Sequence, residues 1–186
     1  MTLQHYKNVV PPENVELLVI TEAPPSKDEN YFYNLCLKES GHGSGRSFFR
    51  GIMQGFGLLP IGTKTYSEKK LLDVFLAKNY FVIDSCPVPL VDNNDNQLSA
   101  NKKRKIMLKY TDSLLNAIKD INPDKILFVC TTNDKVLEKL KNDKYIKERL
   151  AFNTPLPYPG NGWLTRPKTR NGFIELLPAQ FRLMGS

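Results

Sequence analysis

The sequence predicts an α/β fold, a three-layer α/β/α sandwich with a small, mainly parallel central sheet. Short apolar runs rich in β-branched residues occupy residues 15–20, 80–83 and 125–130, and each run ends at a polar loop. Such runs are typical of strands that are buried on both faces of a sheet. Segments of helical periodicity separate them, as the crossovers between parallel strands require. A fourth strand is predicted near residues 150–153.

The helices between these runs are predicted from capping residues and apolar spacing. Thr65 and Glu68 match a capping box that precedes a helix. Thr132 is placed to cap another helix after the third strand. Apolar residues at helical spacing predict a long helix before that strand, and they are Met107, Tyr110, Leu114, Ile118 and Ile121.

Composition limits the class of protein. The chain has 186 residues, 41% of them hydrophobic, and can bury one sizeable core. We therefore expect a single domain over residues 1–186, with its core at roughly 15–177. No apolar run is long enough to cross a bilayer, and the N-terminus lacks the apolar core of a signal peptide. These features favour a soluble, cytoplasmic protein.

Cysteine and histidine usage argues against a metal site. The three cysteines are widely spaced and form no CxxC pair, which indicates free thiols in a reducing compartment. The chain has two histidines, so a zinc or iron–sulfur site has little support. We expect neither a metal ion nor a cofactor. The chain also lacks a Gly-rich phosphate loop, an HExxH motif and a GxSxG motif.

The candidate site lies where the predicted strands end. In an open parallel sheet, ligands bind beyond the carboxyl ends of the strands. Four loops are expected to meet there, at residues 21–33, 84–89, 131–133 and 154–163. Glu22 directly follows the first strand and precedes Ala23 and two stiffening prolines, which suits a catalytic carboxylate. The alternative is a loop carboxylate that only accepts backbone hydrogen bonds.

Aromatic and basic residues accompany these loops. Five aromatics, at residues 31–33 and at Phe48 and Phe49, are enough to stack on a planar ring, although dense aromatics are more often core. A basic stretch follows the proline-rich loop and suits phosphates, unless it is a solvated loop; it contains Arg166, Lys168 and Arg170. The basic run at residues 102–105 is interpreted as a solvated helix face that helps to attract a polyanion.

Together, these loops resemble the motifs of the uracil-DNA glycosylase superfamily over roughly residues 15–177. Residues 19–24 resemble the first motif of its bacterial branch, a strand followed by Gly-Glu-Ala-Pro-Gly, with Thr21 and Pro25 replacing the two glycines. Residues 45–51 resemble the Gly-Arg-Pro-Phe-Val-Gly segment. The resemblance implies that Phe48 stacks on a flipped base, with Tyr31, Phe32 or Tyr33 as competitors. It also places Ala23 and Pro24 beside that base.

Two further motifs carry the resemblance. Residues 80–87 resemble the strand that presents an asparagine to the base edge, with Asp84 at or near that position. An ionised aspartate only accepts hydrogen bonds, so it favours an edge rich in donors. Residues 153–163 resemble the last motif and its DNA wedge, which implies DNA contacts from Leu156, Pro157, Tyr158 and Asn161. Leu156 stands where the family has histidine or asparagine.

The resemblance implies a DNA glycosylase of base-excision repair. Such an enzyme binds single- or double-stranded DNA, flips a base into a cleft and hydrolyses its N-glycosidic bond. Glu22 is the first candidate for the catalytic carboxylate, and Asp28 or Glu29 the second. A monomer is expected, because a loop that wedges into DNA needs its face free.

Two other functions remain open. Leu156 favours a non-catalytic module that binds a base, nucleotide or nucleic-acid end in the same cleft. An unrelated α/β enzyme that acts on a small metabolite would show no salt-dependent affinity for DNA.

Overall fold

A three-stranded parallel sheet forms the centre of the fold, with the first strand of the chain lying between the second and the third. The structure is a computed structural model that describes residues 9–27, 30–33, 47–63, 65–159, 176–177 and 179–181. The strands are β1 (Leu17–Thr21), β2 (Tyr80–Asp84) and β3 (Lys125–Phe128). All three predicted strands are therefore confirmed, with shifts at their ends.

The pairing of the strands places their carboxyl ends at one edge. Val19 of β1 lies opposite Val82 of β2 and Leu127 of β3. All five residues of β1 and of β2 are buried. A strand whose successive side chains are all buried must be covered on both faces, because those side chains alternate in direction. This burial agrees with the predicted α/β/α sandwich.

Six α-helices and two short 3-10 helices have their bounds among the described residues. The α-helices are α1 (Ser47–Gly55), α2 (Glu68–Ala77), α3 (Ala100–Lys109), α4 (Thr111–Ile121), α5 (Asp134–Leu140) and α6 (Lys144–Arg149). The 3-10 helices are Thr131–Asn133 and Ala179–Phe181. Helix α2 packs against β2 and α6 against β3, while α3, α4 and α5 pack on one another.

The long helix predicted before β3 is two helices. Helix α3 ends at Lys109 and α4 begins at Thr111, with Tyr110 between them. The amide of Tyr110 donates to the carbonyl of Met107 at 3.0 Å, and the Thr111 hydroxyl donates to the carbonyl of Leu108 at 3.0 Å. These short-range bonds tighten the chain at the junction, while the apolar spacing continues across it.

Both predicted N-caps are displaced. The cap of α2 is Ser67, whose hydroxyl accepts from the amide of Lys70 at 3.3 Å, so Thr65 does not cap this helix. The residue that precedes α5 is Asn133 and not Thr132. In both cases the helix begins later than the first residue with a suitable side chain, which is the usual error in reading helix boundaries.

The fourth strand predicted near residues 150–153 is not formed. Instead, two isolated parallel bridges join Leu150 to Ile126 and Leu156 to Val129 beside β3. The amide of Ala151 donates to the carbonyl of Ile126 at 2.8 Å. No bridge to β3 is formed between these two, so the segment after α6 pairs with the edge of the sheet only at Leu150 and Leu156.

Candidate functional site

A cavity of about 610 Å³ lies at the carboxyl ends of the three strands. Its wall includes Thr21 and Asp84, the last residues of β1 and β2, and Cys130 to Thr132 just beyond β3. The edge of the sheet that was expected to hold a ligand therefore does hold a cavity. All four loops predicted to meet there contribute, since Asp84 opens the second loop and Tyr158 lies in the fourth.

Glu22 is anchored at this cavity through both carboxylate oxygens. Lys103 of α3 places Nζ 2.9 Å from Oε2, and the Thr132 hydroxyl donates to Oε1. The side chains of Glu22 and Lys103 are 21% and 14% exposed, so this ion pair is largely screened from water. The carboxylate is thus held in one orientation by residues from two other elements.

Neither anchor of Glu22 was predicted. Lys103 belongs to the basic run that was interpreted as a solvated face, and Thr132 was expected to cap a helix. Lys102 and Lys105 are exposed, whereas Lys103 is partly buried. Its partner is 81 residues away along the chain, so local sequence gives no signal for the pairing.

The basic run is fixed at a second point. Arg104 donates from Nε and from its Nη2 atom to the two carboxylate oxygens of Asp134, at 2.7 and 3.0 Å. This bidentate pair raises the pKa of Arg104. Because Arg104 is adjacent to Lys103, the pair ties α3 to α5 directly beside the Glu22 contact.

A buried polar node, formed by the side chains of Ser85 and Asn133, lies beneath Glu22. The Ser85 hydroxyl lies 2.8 Å from the carbonyl oxygen of Glu22 and 2.7 Å from Asn133 Oδ1, and donates to one of them at a time. Asn133 donates from Nδ2 to the carbonyls of Thr21 and Val129 at 3.0 and 2.7 Å. Ser85 and Asn133 are both fully buried. The node links the ends of all three strands.

Asp84 lies at the inner wall of the cavity. Its side chain belongs to the last residue of β2, and the residue is 6% exposed. The Thr21 hydroxyl donates to Asp84 Oδ1 at 3.4 Å, and these two residues are paired across the sheet. The structure therefore brings Asp84 and Glu22 to one cavity, as expected for residues at the carboxyl ends of neighbouring parallel strands.

Aromatic rings form another wall. The rings of Phe48 and Tyr158 lie 5.6 Å apart at 36°, and both line the cavity. The Tyr158 hydroxyl lies 3.4 Å from the Ser47 hydroxyl, and burial raises the pKa of Tyr158. Tyr31 also lines the cavity and is 8% exposed.

The other aromatics near the first loop are largely buried, although Phe32 and Tyr33 also line the cavity. Phe49 is 1% exposed and does not line the cavity. The Tyr33 hydroxyl accepts from the amide of Val82 at 2.6 Å, and its ring stacks on Phe81 at 5.3 Å. Burial raises the pKa of Tyr33 well above its ordinary value, so this phenol stays neutral. Tyr33 therefore supports the outer edge of β2.

Other predicted site residues are spread more widely. Ala23 and Pro25 line the cavity, whereas Pro24 is buried and does not. Pro157 is partly buried and lies outside the cavity wall. Asp28, Asn161, Arg166, Lys168 and Arg170 lie outside the described residues.

Leu156 differs most from the expectation. Its side chain is fully buried in the core, and its amide donates to the carbonyl of Phe128 at 2.8 Å beside β3. A side chain with no exposed surface has nothing to offer DNA. The resemblance to the last motif implied that Leu156 lies at the site. In the structure Leu156 forms a bridge with Val129 and lies at the edge of the sheet.

Comparison with known proteins leaves the family open. No protein-family model matches the chain, and no match is found among curated proteins or among solved structures. In the part of the chain that the structure describes, no group of three or more metal-ligating side chains is found. No helix there is long and apolar enough to span a membrane.

Proposed function

We propose that the cavity binds a nucleobase rotated out of a DNA strand, and that the chain hydrolyses its N-glycosidic bond. The observation that carries this proposal is the Glu22 carboxylate, fixed by Lys103 and Thr132 beside an aromatic wall. Enzymes that act on a base need such a pocket, because the target atoms are inaccessible inside a duplex.

The aromatic wall suits a planar ligand. Phe48 and Tyr158 lie close together and present ring surface to the cavity, with Tyr31 in the same wall. Stacking of a base on aromatic side chains contributes about 1–3 kcal/mol and tolerates different bases. The wall therefore supports base binding without selecting which base is bound.

The fixed carboxylate suits the chemistry of base release. As the N-glycosidic bond breaks, the base leaves with the bonding electron pair and positive charge develops on the sugar. Water forms the new bond to C1′, and the proton it loses ends on the departing base. A preorganised negative group stabilises that charge without having to reorient. Lys103 Nζ lies 2.9 Å from Glu22 Oε2, and the hydrogen bond from Thr132 limits the rotation of the carboxylate.

The test measures base release from single- and double-stranded oligonucleotides that carry uracil, hypoxanthine, xanthine or a mismatch. Glu22→Gln keeps the shape of the side chain and removes its charge, and we expect release to fall about a hundredfold or more. Lys103→Met is expected to slow release with little effect on affinity. Lys105→Met removes the same charge from an exposed position of α3 and serves as the matched control. Release that survives Glu22→Gln unchanged would refute the mechanism.

A second candidate function is a non-catalytic module that binds a base in the same cavity. It is favoured by one observation, namely that both carboxylate oxygens of Glu22 already accept a hydrogen bond from the protein. Such a module would bind oligonucleotides with an affinity that falls as salt rises, and it would release no base. Binding without release from every substrate would therefore select this function over hydrolysis.

A further inference from the structure

The loop between β2 and α3 forms a small hairpin that reaches the cavity. In the structure, Val91 and Gln97 form an antiparallel bridge, and the amide of Leu98 donates to the carbonyl of Leu90 at 3.2 Å. Gln97 lies on the returning strand of this hairpin and lines the cavity.

One side chain holds the turn of the hairpin. Oδ1 of Asp92 accepts from the amides of Asn94 and Asn96 at 2.8 and 3.0 Å, and the amide of Asp92 donates to the carbonyl of Asn96 at 2.9 Å. The two hydrogen bonds that Oδ1 accepts lower the pKa of Asp92. Asp95 adopts a φ of 59°, the left-handed conformation that such a turn requires. The position of Gln97 therefore depends on Asp92.

Gln97 has hydrogen-bonding capacity to offer a ligand. Its side chain is exposed at the cavity and has no hydrogen-bond partner among the described residues. Glu22, by contrast, uses both carboxylate oxygens within the protein. A carboxamide carries a donor and an acceptor side by side, so it can form two parallel bonds with a base edge that carries the complementary pair.

We propose that Gln97 determines specificity by reading the hydrogen-bonding edge of the nucleobase, and that Asp92 is the positioning residue that holds it there. This inference rests on the proposed function only in taking the ligand to be a nucleobase. It does not require that the glycosidic bond is broken.

The experiment measures the binding of free deoxyuridine, deoxyinosine and deoxyadenosine to the full chain by titration in NMR. Gln97→Leu removes both hydrogen-bonding groups and is expected to weaken binding of the preferred nucleoside about tenfold. Gln97→Glu keeps acceptors and loses the donor. It should weaken deoxyuridine and deoxyinosine, whose carbonyl oxygens repel a carboxylate, more than deoxyadenosine, whose amino group can donate to it. Asn93→Leu makes the same change at an exposed position of the turn and is the matched control.

A second pair of variants tests the positioning residue. Asp92→Ala removes the acceptor for both turn amides and is expected to weaken binding as much as Gln97→Leu does. Asp92→Asn keeps an oxygen that accepts both bonds, so it should retain most of the wild-type affinity. A merely structural role would lower the unfolding midpoint in Asp92→Ala without changing the affinity of the folded protein.

The outcomes separate this inference from the proposed function. A ranking of nucleosides that changes with Gln97→Glu supports the inference, even where no base is released. Equal affinities in Gln97→Leu and the wild type would overturn the inference and leave the proposed function standing. Absence of binding for every nucleoside, in the wild type as well, would overturn both.

Discussion

Replacing Leu156 by asparagine tests whether this position belongs to the core or to the site. The side chain is 0% exposed. Leu156→Asn loses about 1.5–3 kcal/mol of hydrophobic burial. It also buries a carboxamide in apolar surroundings, which costs about 1–3 kcal/mol where hydrogen bonds stay unmade. We therefore expect a loss of about 3–5 kcal/mol, a large share of the 5–15 kcal/mol typical of a domain.

Urea unfolding followed by far-UV circular dichroism measures this loss. With a slope of about 2 kcal/mol per M, the midpoint should fall by about 2 M. Leu156→Met conserves volume and should cost less than about 1.5 kcal/mol. Ile61→Asn makes a similar apolar-to-amide change where the residue is 60% exposed, and its midpoint should stay within about 0.5 M of the wild type.

The opposite result would refute this reasoning. If Leu156→Asn unfolds at the wild-type midpoint, the side chain does not pack in the core. If the same variant also gains base release, Leu156 faces the ligand, as the resemblance to the glycosylase motif implies. A destabilised variant without release supports the structural placement.

Three other predictions follow from single contacts. A Cβ on Gly51 would lie 2.3 Å from the carbonyl oxygen of Pro159, so Gly51→Ala should lower the melting temperature although alanine normally favours a helix by about 1 kcal/mol. The hydrogen bond from Lys119 lowers the pKa of Asp143 in the folded state. The ionised Asp143 therefore stabilises the folded protein above the unfolded pKa of about 3.9, and this stabilisation is lost as the pH falls through the folded pKa. Asp143→Asn should therefore flatten the acid limb of a plot of urea midpoint against pH. Burial raises the pKa of Cys86 to about 11, so mass spectrometry should find its peptide unalkylated by iodoacetamide at pH 8 until denaturant is added.

The strands could be predicted because their signal is local. Strands β1 and β2 stay apolar up to a polar last residue, and β3 is apolar after the exposed Lys125 at its start. Burial on both faces of a sheet requires that composition. The location of the site followed from the same runs, since parallel strands bring their carboxyl ends together. The break at Tyr110 carried no such signal, because the apolar spacing runs through it without interruption.

The chemistry of the site could not be predicted in the same way. Lys103 and Lys105 are two residues apart in one basic run, yet Lys103 pairs with Glu22 and Lys105 is exposed. Which lysine reaches Glu22 depends on how α3 packs against the rest of the protein. This packing is set by contacts with segments that are distant in sequence. Thr132 was expected to cap a helix, but Asn133 is the residue that precedes α5, and the Thr132 hydroxyl donates to Glu22.

The polar node beneath the cavity couples the fold to the site. Asn133 ties the end of β1 to the turn after β3, and it is adjacent to Thr132, which holds Glu22. Ser85 joins the same node from the end of β2. A change that displaces Asn133 therefore loosens the junction of the strands and also moves the hydroxyl that orients the carboxylate. The orientation of the Glu22 side chain therefore depends on contacts from the ends of all three strands. A motif that places a carboxylate after a strand specifies only the position of its backbone.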